Sequence, residues 1–196
     1  MINQVAGVIL AGGKSSRFGS NKALALHQGV PLIQAIARKL SGLFPETLLI
    51  TNTPEDYTFL GWPMAQDQHR ECGPLAGIHA ALRGVSQPRI FVCGCDMPLV
   101  DPALVRFLCE LPGNHEVALP WLPEGPEPLY AVYSKTALPF IEENLAKNQC
   151  RIGTLYEKLR IRKVTAEEIL QVLPDLTTFQ NINRLHDLAR LATMGL

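Results

Sequence analysis

The run Leu10-Ala11-Gly12-Gly13-Lys14-Ser15-Ser16-Arg17-Phe18-Gly19-Ser20-Asn21-Lys22, directly after the apolar stretch 5–10, constrains this chain more than any other segment. A short apolar stretch that stops at glycines reads as a buried strand. Gly12 and Gly13 lack a Cβ, so the backbone there can turn sharply and bring its N–H groups close to anionic oxygens. Lys14, Arg17 and Lys22 add three cations within nine positions. Residues 1–45 contain Lys14, Arg17, Lys22, Arg38 and Lys39 and no Asp or Glu, a charge of +5. The whole chain has 18 basic and 18 acidic residues, so the remainder carries −5. Cations gather at this loop in a protein with no general excess of them, which predicts a phosphate site rather than a turn of solvated charges.

Two well-known phosphate loops are excluded by counting. Five residues separate Gly13 from Gly19, and Gly19 is followed by Ser20, so the spacing of a P-loop is absent. Gly12 and Gly13 are adjacent, which rules out the Gly-x-Gly-x-x-Gly dinucleotide fingerprint.

A length of 196 residues suits one domain spanning 1–196, with 47% hydrophobic and 18% charged residues, an ordinary globular balance. No apolar run approaches the roughly 20 residues of a membrane span. The start Met1-Ile2-Asn3-Gln4 lacks the features of a signal peptide, so a cytoplasmic protein is expected. Neutral net charge argues against nucleic acid or an anionic membrane as the main partner. The five cysteines, Cys72, Cys93, Cys95, Cys109 and Cys150, show no zinc-ligand spacing and are expected to be buried reduced thiols. Cys93 and Cys95, two apart in an apolar strand, should share a face.

Strand and helix patterns alternate. Strands are predicted at 5–10, 47–51, 89–95, 116–121, 129–133 and 160–164, with an extended segment at 179–183. Helices are predicted from Pro31 through Leu43, from Gly73 through Leu82, and at 103–111, 135–147, 152–159 and 184–192. The pattern argues for an α/β fold with a mostly parallel central sheet. In such sheets ligands bind beyond the carboxyl ends of the strands, where strand order reverses. Gly12-Gly13, Asn52 and Asp96 each follow an apolar strand and should therefore converge on one edge.

Asp96, held between Cys95 and Met97-Pro98, is a strand-end carboxylate suited to Mg2+, which takes one or two carboxylates plus phosphate oxygens and water. Asp67 is by itself a loop carboxylate. The segment Gly73-Pro74-Leu75-Ala76-Gly77, with glycine at both ends, is expected to let a helix start pack closely on a ligand; with Asn52 it can supply what a purine's amide edge needs. Asn181-Ile182-Asn183 sets two amides on one face with Ile182 turned inward. The five scattered histidines suggest no hydrolase arrangement.

Leu10-Ala11-Gly12-Gly13, Arg17, Lys22, Gly73-Pro74-Leu75-Ala76-Gly77, Asp96-x-Pro98 and Asn181-x-Asn183 follow one another as in the molybdenum cofactor guanylyltransferases, a family of nucleotidyltransferases that the chain resembles from about residue 6 to 191. The resemblance implies a Rossmann-like three-layer α/β sandwich. It implies transfer of GMP from Mg-GTP to the terminal phosphate of molybdopterin or the molybdenum cofactor, giving a guanine dinucleotide and pyrophosphate. It puts Leu10, Ala11, Gly12, Gly13, Lys22, Asn52, Asp67 and Asp96 at the GTP, and Mg2+ on Asp96. Lys22, Arg17 and Asp96 become the catalytic set, with Asn181 and Asn183 on the pterin side. Proteins of cofactor assembly and acceptor molybdoenzymes are the partners it implies. Asn21 and Phe18 depart from the Asp and Met usual in the family. The alternatives are a CTP-dependent relative, which typically carries Leu-Ala-Ala-Gly at the first motif, and a nucleotide-binding module without chemistry.

Overall fold

The computed structural model describes residues 1–12, 21–69, 71–182 and 187. The strands are β1 (Val5–Leu10), β2 (Leu26–His27), β3 (Val30–Pro31), β4 (Thr47–Ile50), β5 (Met64–Ala65), β6 (Arg89–Gly94), β7 (Val117–Leu122), β8 (Gly125–Pro126), β9 (Tyr130–Ser134) and β10 (Ile161–Thr165). Between them lie α1 (Leu32–Leu40), α2 (Gly73–Gly84), α3 (Pro102–Glu110), α4 (Leu138–Ala146) and α5 (Ala166–Ile169). The central sheet runs β10-β7-β9-β6-β1-β4-β5, with β8 paired to β7; β2 and β3 form a separate hairpin. Pairing is parallel at β1–β4, β1–β6, β4–β5 and β7–β10, whereas β9 is antiparallel to both neighbours. The expected mostly parallel three-layer architecture is present.

Alternation along β1 explains the layers. Val5 and Ile9 join one core with Ile33, Ile36 and Leu40 of α1, Leu104 and Leu108 of α3, and Ile169 of α5. Ala6, Val8 and Leu10 join the opposite core with Leu75, Ile78 and Leu82 of α2 and Ile141 and Leu145 of α4. A strand buried on both faces reads as a continuous apolar run, as β1 and β6 do. Gly7 is required by packing: a Cβ there would lie 2.4 Å from Cδ2 of Phe44.

Three expectations are corrected. Residues 152–159 form only a 3-10 turn at Ile152–Leu155, because Gly153 weakens an α-helix and the turn already buries Leu155. Phe179 closes a 3-10 turn, Thr177–Phe179, and the chain then runs irregularly to the buried Ile182. The helix expected at 184–192 lies outside the described residues, Asp187 excepted. The third correction concerns sulfur. Cys72 and Cys150 form a disulfide across 78 positions, with their Cα atoms 4.6 Å apart. Both α2 and α4 pack on one face of the sheet, which brings the residue before α2 against the segment after α4. Cys93, Cys95 and Cys109 remain free thiols. Burial pushes Cys93 well above the ordinary thiol range and Cys109 up to about 12, so neither supplies a thiolate. Among the described residues no helix is long and apolar enough to cross a membrane.

Candidate active site

Strand order reverses between β1 and β6. From β1 the chain moves outward to β4 and β5, then crosses through α2 to β6 on the other side of β1. The crevice beyond the carboxyl ends of β1 and β6 is thus the place where an open α/β sheet binds ligands. Leu10 pairs in register with Gly94, and the Cys95 N–H donates to the Leu10 carbonyl at 3.2 Å. Ala11 is fixed on the other side, its N–H donating to the Ile50 carbonyl at 2.8 Å. Gly12 is exposed, and among the described residues a Cβ on it would meet no atom within 4 Å.

The site's charges meet at Lys22 and Asp96. Lys22 opens the 3-10 turn Lys22–Leu24, and the Asn21 side chain caps that turn by accepting from the Ala23 N–H at 3.2 Å. Lys22 Nζ donates to Asp96 Oδ2 at 3.1 Å. The Asp96 carbonyl accepts from the Ile182 N–H at 2.9 Å, so the Asn181-Ile182 segment is tied to the same strand end. Ile182 is buried and Asn181 exposed, as the alternation predicts.

The second half of the site lies beyond β4 and β5. Asn52 Nδ2 donates to Asp67 Oδ2 at 2.9 Å. Asn52 Oδ1 and Asp67 Oδ1 are buried and have no hydrogen-bond partner among the described residues. A buried acceptor left without a donor costs about 1–3 kcal/mol, so this pair is suited to a ligand bearing N–H or O–H groups.

The structure therefore brings together Leu10, Ala11, Gly12, Lys22, Asn52, Asp67 and Asp96 along adjacent strand ends. Gly13, Lys14, Arg17 and Asn183 lie outside the described residues. Gly77 is not a ligand-facing glycine: it is buried, and a Cβ there would meet Leu10 Cδ2 at 3.2 Å, so it seats α2 on the end of β1. Gly73 does serve the turn into α2, with φ +52°. Two site features escape a sequence reading. Tyr57, buried in the 3-10 stretch Pro54–Leu60, hydrogen-bonds Asn21. Glu127, from the loop before β9, has its carboxyl held above the usual range by burial and then by the charges of Asp96 and Glu124. Only tertiary proximity marks either residue.

Among the described residues no three His, Cys, Asp or Glu side chains converge as a metal cage. The donor at the crevice is the Asp96 carboxylate, a hard oxygen ligand. That suits a divalent cation whose other positions are filled by phosphate oxygens and water, and does not suit a soft metal.

The model of the MobA-like NTP transferase domain matches residues 7–164. A protein of Pelotomaculum thermopropionicum named "Probable molybdenum cofactor guanylyltransferase" is 37% identical over 193 residues, covering 98% of this chain and 94% of its own. The "Molybdenum cofactor guanylyltransferase" of Desulfosudis oleivorans is 36% identical over 193 residues, covering 96% and 95%. The crystal structure of molybdopterin-guanine dinucleotide biosynthesis protein A from Archaeoglobus fulgidus is similar with a TM-score of 0.83 and 26% identity, covering 97% of this chain and 98% of that one. A domain match over most of the chain, relatives above 30% identity along nearly its full length and a shared three-layer fold lead to one assignment: the chain is a nucleotidyltransferase that belongs to the MobA-like NTP transferase family.

Proposed function

We propose that the protein transfers GMP from GTP to the terminal phosphate of molybdopterin or its molybdenum-loaded form, releasing pyrophosphate. The relatives' names support the reaction. The observation that carries the choice of base is the pair of buried acceptors without a partner among the described residues, Asn52 Oδ1 and Asp67 Oδ1. Two acceptors on one hydrogen-bonded pair of side chains call for a base with more than one donor. Guanine offers N1–H beside its 2-amino group, whereas adenine and cytosine set a donor beside an acceptor.

The chemistry follows from charge. The attacking group is a phosphate oxygen, anionic at neutral pH, so no general base is required. It attacks the α-phosphorus of GTP as the bond from that phosphorus to the departing pyrophosphate breaks. What the chain must do is hold two polyanions together in line. The N–H groups of the Gly12-Gly13 turn meet the triphosphate, and Lys22 and Arg17 offset its repulsion with the acceptor. Asp96 would hold Mg2+, which supplies neutralisation of charge developing on the phosphate oxygens. Asn181 and Asn183 orient the acceptor on the pterin side.

A thermal-shift series with Mg2+ and GTP, inosine triphosphate, CTP and ATP tests the reading, since a ligand bound by the folded state raises Tm. GTP should give the largest shift, and inosine triphosphate, lacking the 2-amino group, a smaller one. A larger shift with CTP would assign the CTP-dependent reaction instead. Binding of GTP without pyrophosphate release in the presence of molybdopterin would leave a binding module.

A further inference from the structure

Asn21 and Tyr57 lie in two loops that leave neighbouring strands. Asn21 precedes Lys22 after the loop that follows β1, and Tyr57 sits in the 3-10 stretch that follows β4 and Asn52. The Tyr57 hydroxyl donates to Asn21 Oδ1 at 3.1 Å and accepts from Asn21 Nδ2 at 2.9 Å. Asn21 Nδ2 also reaches Asp56 Oδ2 at 3.4 Å, and Asn21 Oδ1 caps the Lys22 turn through the Ala23 N–H. Tyr57 is 1% exposed, so its ring is an anchor set in the core that includes Ile9, Leu49 and Cys93. Burial raises its pKa further above neutrality.

We infer that Asn21 and Tyr57 are positioning residues that clamp the Lys22 turn to the β4 exit loop and so aim the Lys22 ammonium at the triphosphate subsite beside Asp96. A lysine has four rotatable bonds, so the placement of its ammonium depends on how firmly the turn beneath it is held. Lys22 stands at the first position of that turn, and the one side chain that caps it is also the one that grips the core tyrosine. The neighbouring carboxylate explains the chemistry of position 21. Asp56 supplies a negative charge there, which an amide N–H can face and a second carboxylate cannot without repulsion. The inference rests on the reading that Lys22 faces nucleotide phosphates.

The experiment compares Asn21→Ala, Tyr57→Phe and their combination, and separately Asn21→Asp with and without Asp56→Asn. Pyrophosphate release gives kcat and KM for GTP, and thermal melts report folding. Each of the first two should lower kcat about tenfold with Tm changed by only a few degrees, a smaller effect than removing Lys22 itself. The combination should be no worse than either single change, because both break one clamp. Asn21→Asp should lower kcat several-fold, and adding Asp56→Asn should restore it to within about twofold by exchanging the facing groups. Parental kcat in Tyr57→Phe, multiplicative losses in the combination, or a restored Tm without restored kcat in the exchange would each overturn the clamp. A parent that releases no pyrophosphate from GTP would overturn the functional reading instead. The clamp is then judged on the Tm shift produced by Mg2+ and inorganic pyrophosphate, which should shrink in Tyr57→Phe and Asn21→Asp and return in the exchange. An unchanged shift would overturn it.

Discussion

Lys22 Nζ and Asp96 Oδ2 lie 3.1 Å apart although 74 positions separate them in the chain. Each charge compensates the other at the crevice between β1 and β6. A ligand that engages one member must therefore provide for the other. A cation–polyphosphate complex does this in one step, with its positive part toward the carboxylate and its negative part toward the ammonium. Under the proposed function the pair serves as a matched receptor for such a complex.

Asp96→Asn is expected to leave a folded protein whose turnover falls by about 10² or more, with a weakened Mg2+ dependence of GTP binding. The amide keeps the side chain's size and an acceptor for Lys22. Melting curves without nucleotide and Mg2+ titrations of GTP binding check it, and an active variant with parental Mg2+ dependence would remove Asp96 from the mechanism.

Lys22→Ala should lower kcat by about 10²–10³, the scale for losing one preorganised stabiliser of transition-state charge. Its ion pair is largely shielded from solvent, so removing the ammonium should also lower Tm by several degrees with the chain still folded. Full turnover by this variant would leave Lys22 as Asp96's structural partner alone.

Asp67→Ala should act differently, because Asp67 belongs to the acceptor pair and not to the charges around the phosphates. KM for GTP should rise about tenfold with kcat held within a few-fold, the signature of binding lost equally in ground and transition states. A kcat loss equal to that of Lys22→Ala would move Asp67 into the reacting group.

Reduction should destabilise the protein without unfolding it at room temperature. The Cys72–Cys150 disulfide closes a loop of 78 positions, and constraining such a loop contributes about 2–4 kcal/mol. Melts with and without a dithiol reductant should differ by roughly 5–15 °C. Identical melts, with thiol labelling showing all five cysteines free under both conditions, would show that the pair does not form in solution.

Glu116 predicts an acid-side loss of stability. Hydrogen bonds from the Arg160 side chain, then from its backbone N–H, lower the Glu116 pKa from its ordinary 4.5 despite burial. A lowered folded-state pKa stabilises above the unfolded value, and that contribution is lost as pH falls through the folded value. Glu116→Gln should therefore be less stable than the parent at pH 7 by about 1–3 kcal/mol, with the gap closing below pH 4.5. Urea melts at pH 7 and pH 3 check this, and a gap that persists at pH 3 would contradict it.

Much of this molecule was legible locally. The apolar run of β1 marks a two-sided buried strand whatever lies beside it, and Leu32, Ile36 and Leu40 mark the buried stripe of α1 because helix period is a local property. The glycine-and-cation loop could be proposed as a phosphate site because its elements are contiguous, and Asp96 could be proposed as a ligand because it follows an apolar strand. Other features could not be read this way. The insertion of β9 antiparallel between β6 and β7 depends on strand order, which crossover connections decide and side-chain periodicity does not. The pairings Lys22–Asp96, Asn52–Asp67, Asn21–Tyr57 and Cys72–Cys150 likewise join segments that share no local pattern. Gly77 was the instructive error: its spacing suggested a ligand, but α2 needed that glycine to reach Leu10. The sequence alone determined which segments are buried and which charges cluster within one loop, because those follow from near neighbours along the chain. The tertiary structure decided which charge faces which, because that follows from sheet register and helix packing over distances that no short pattern spans.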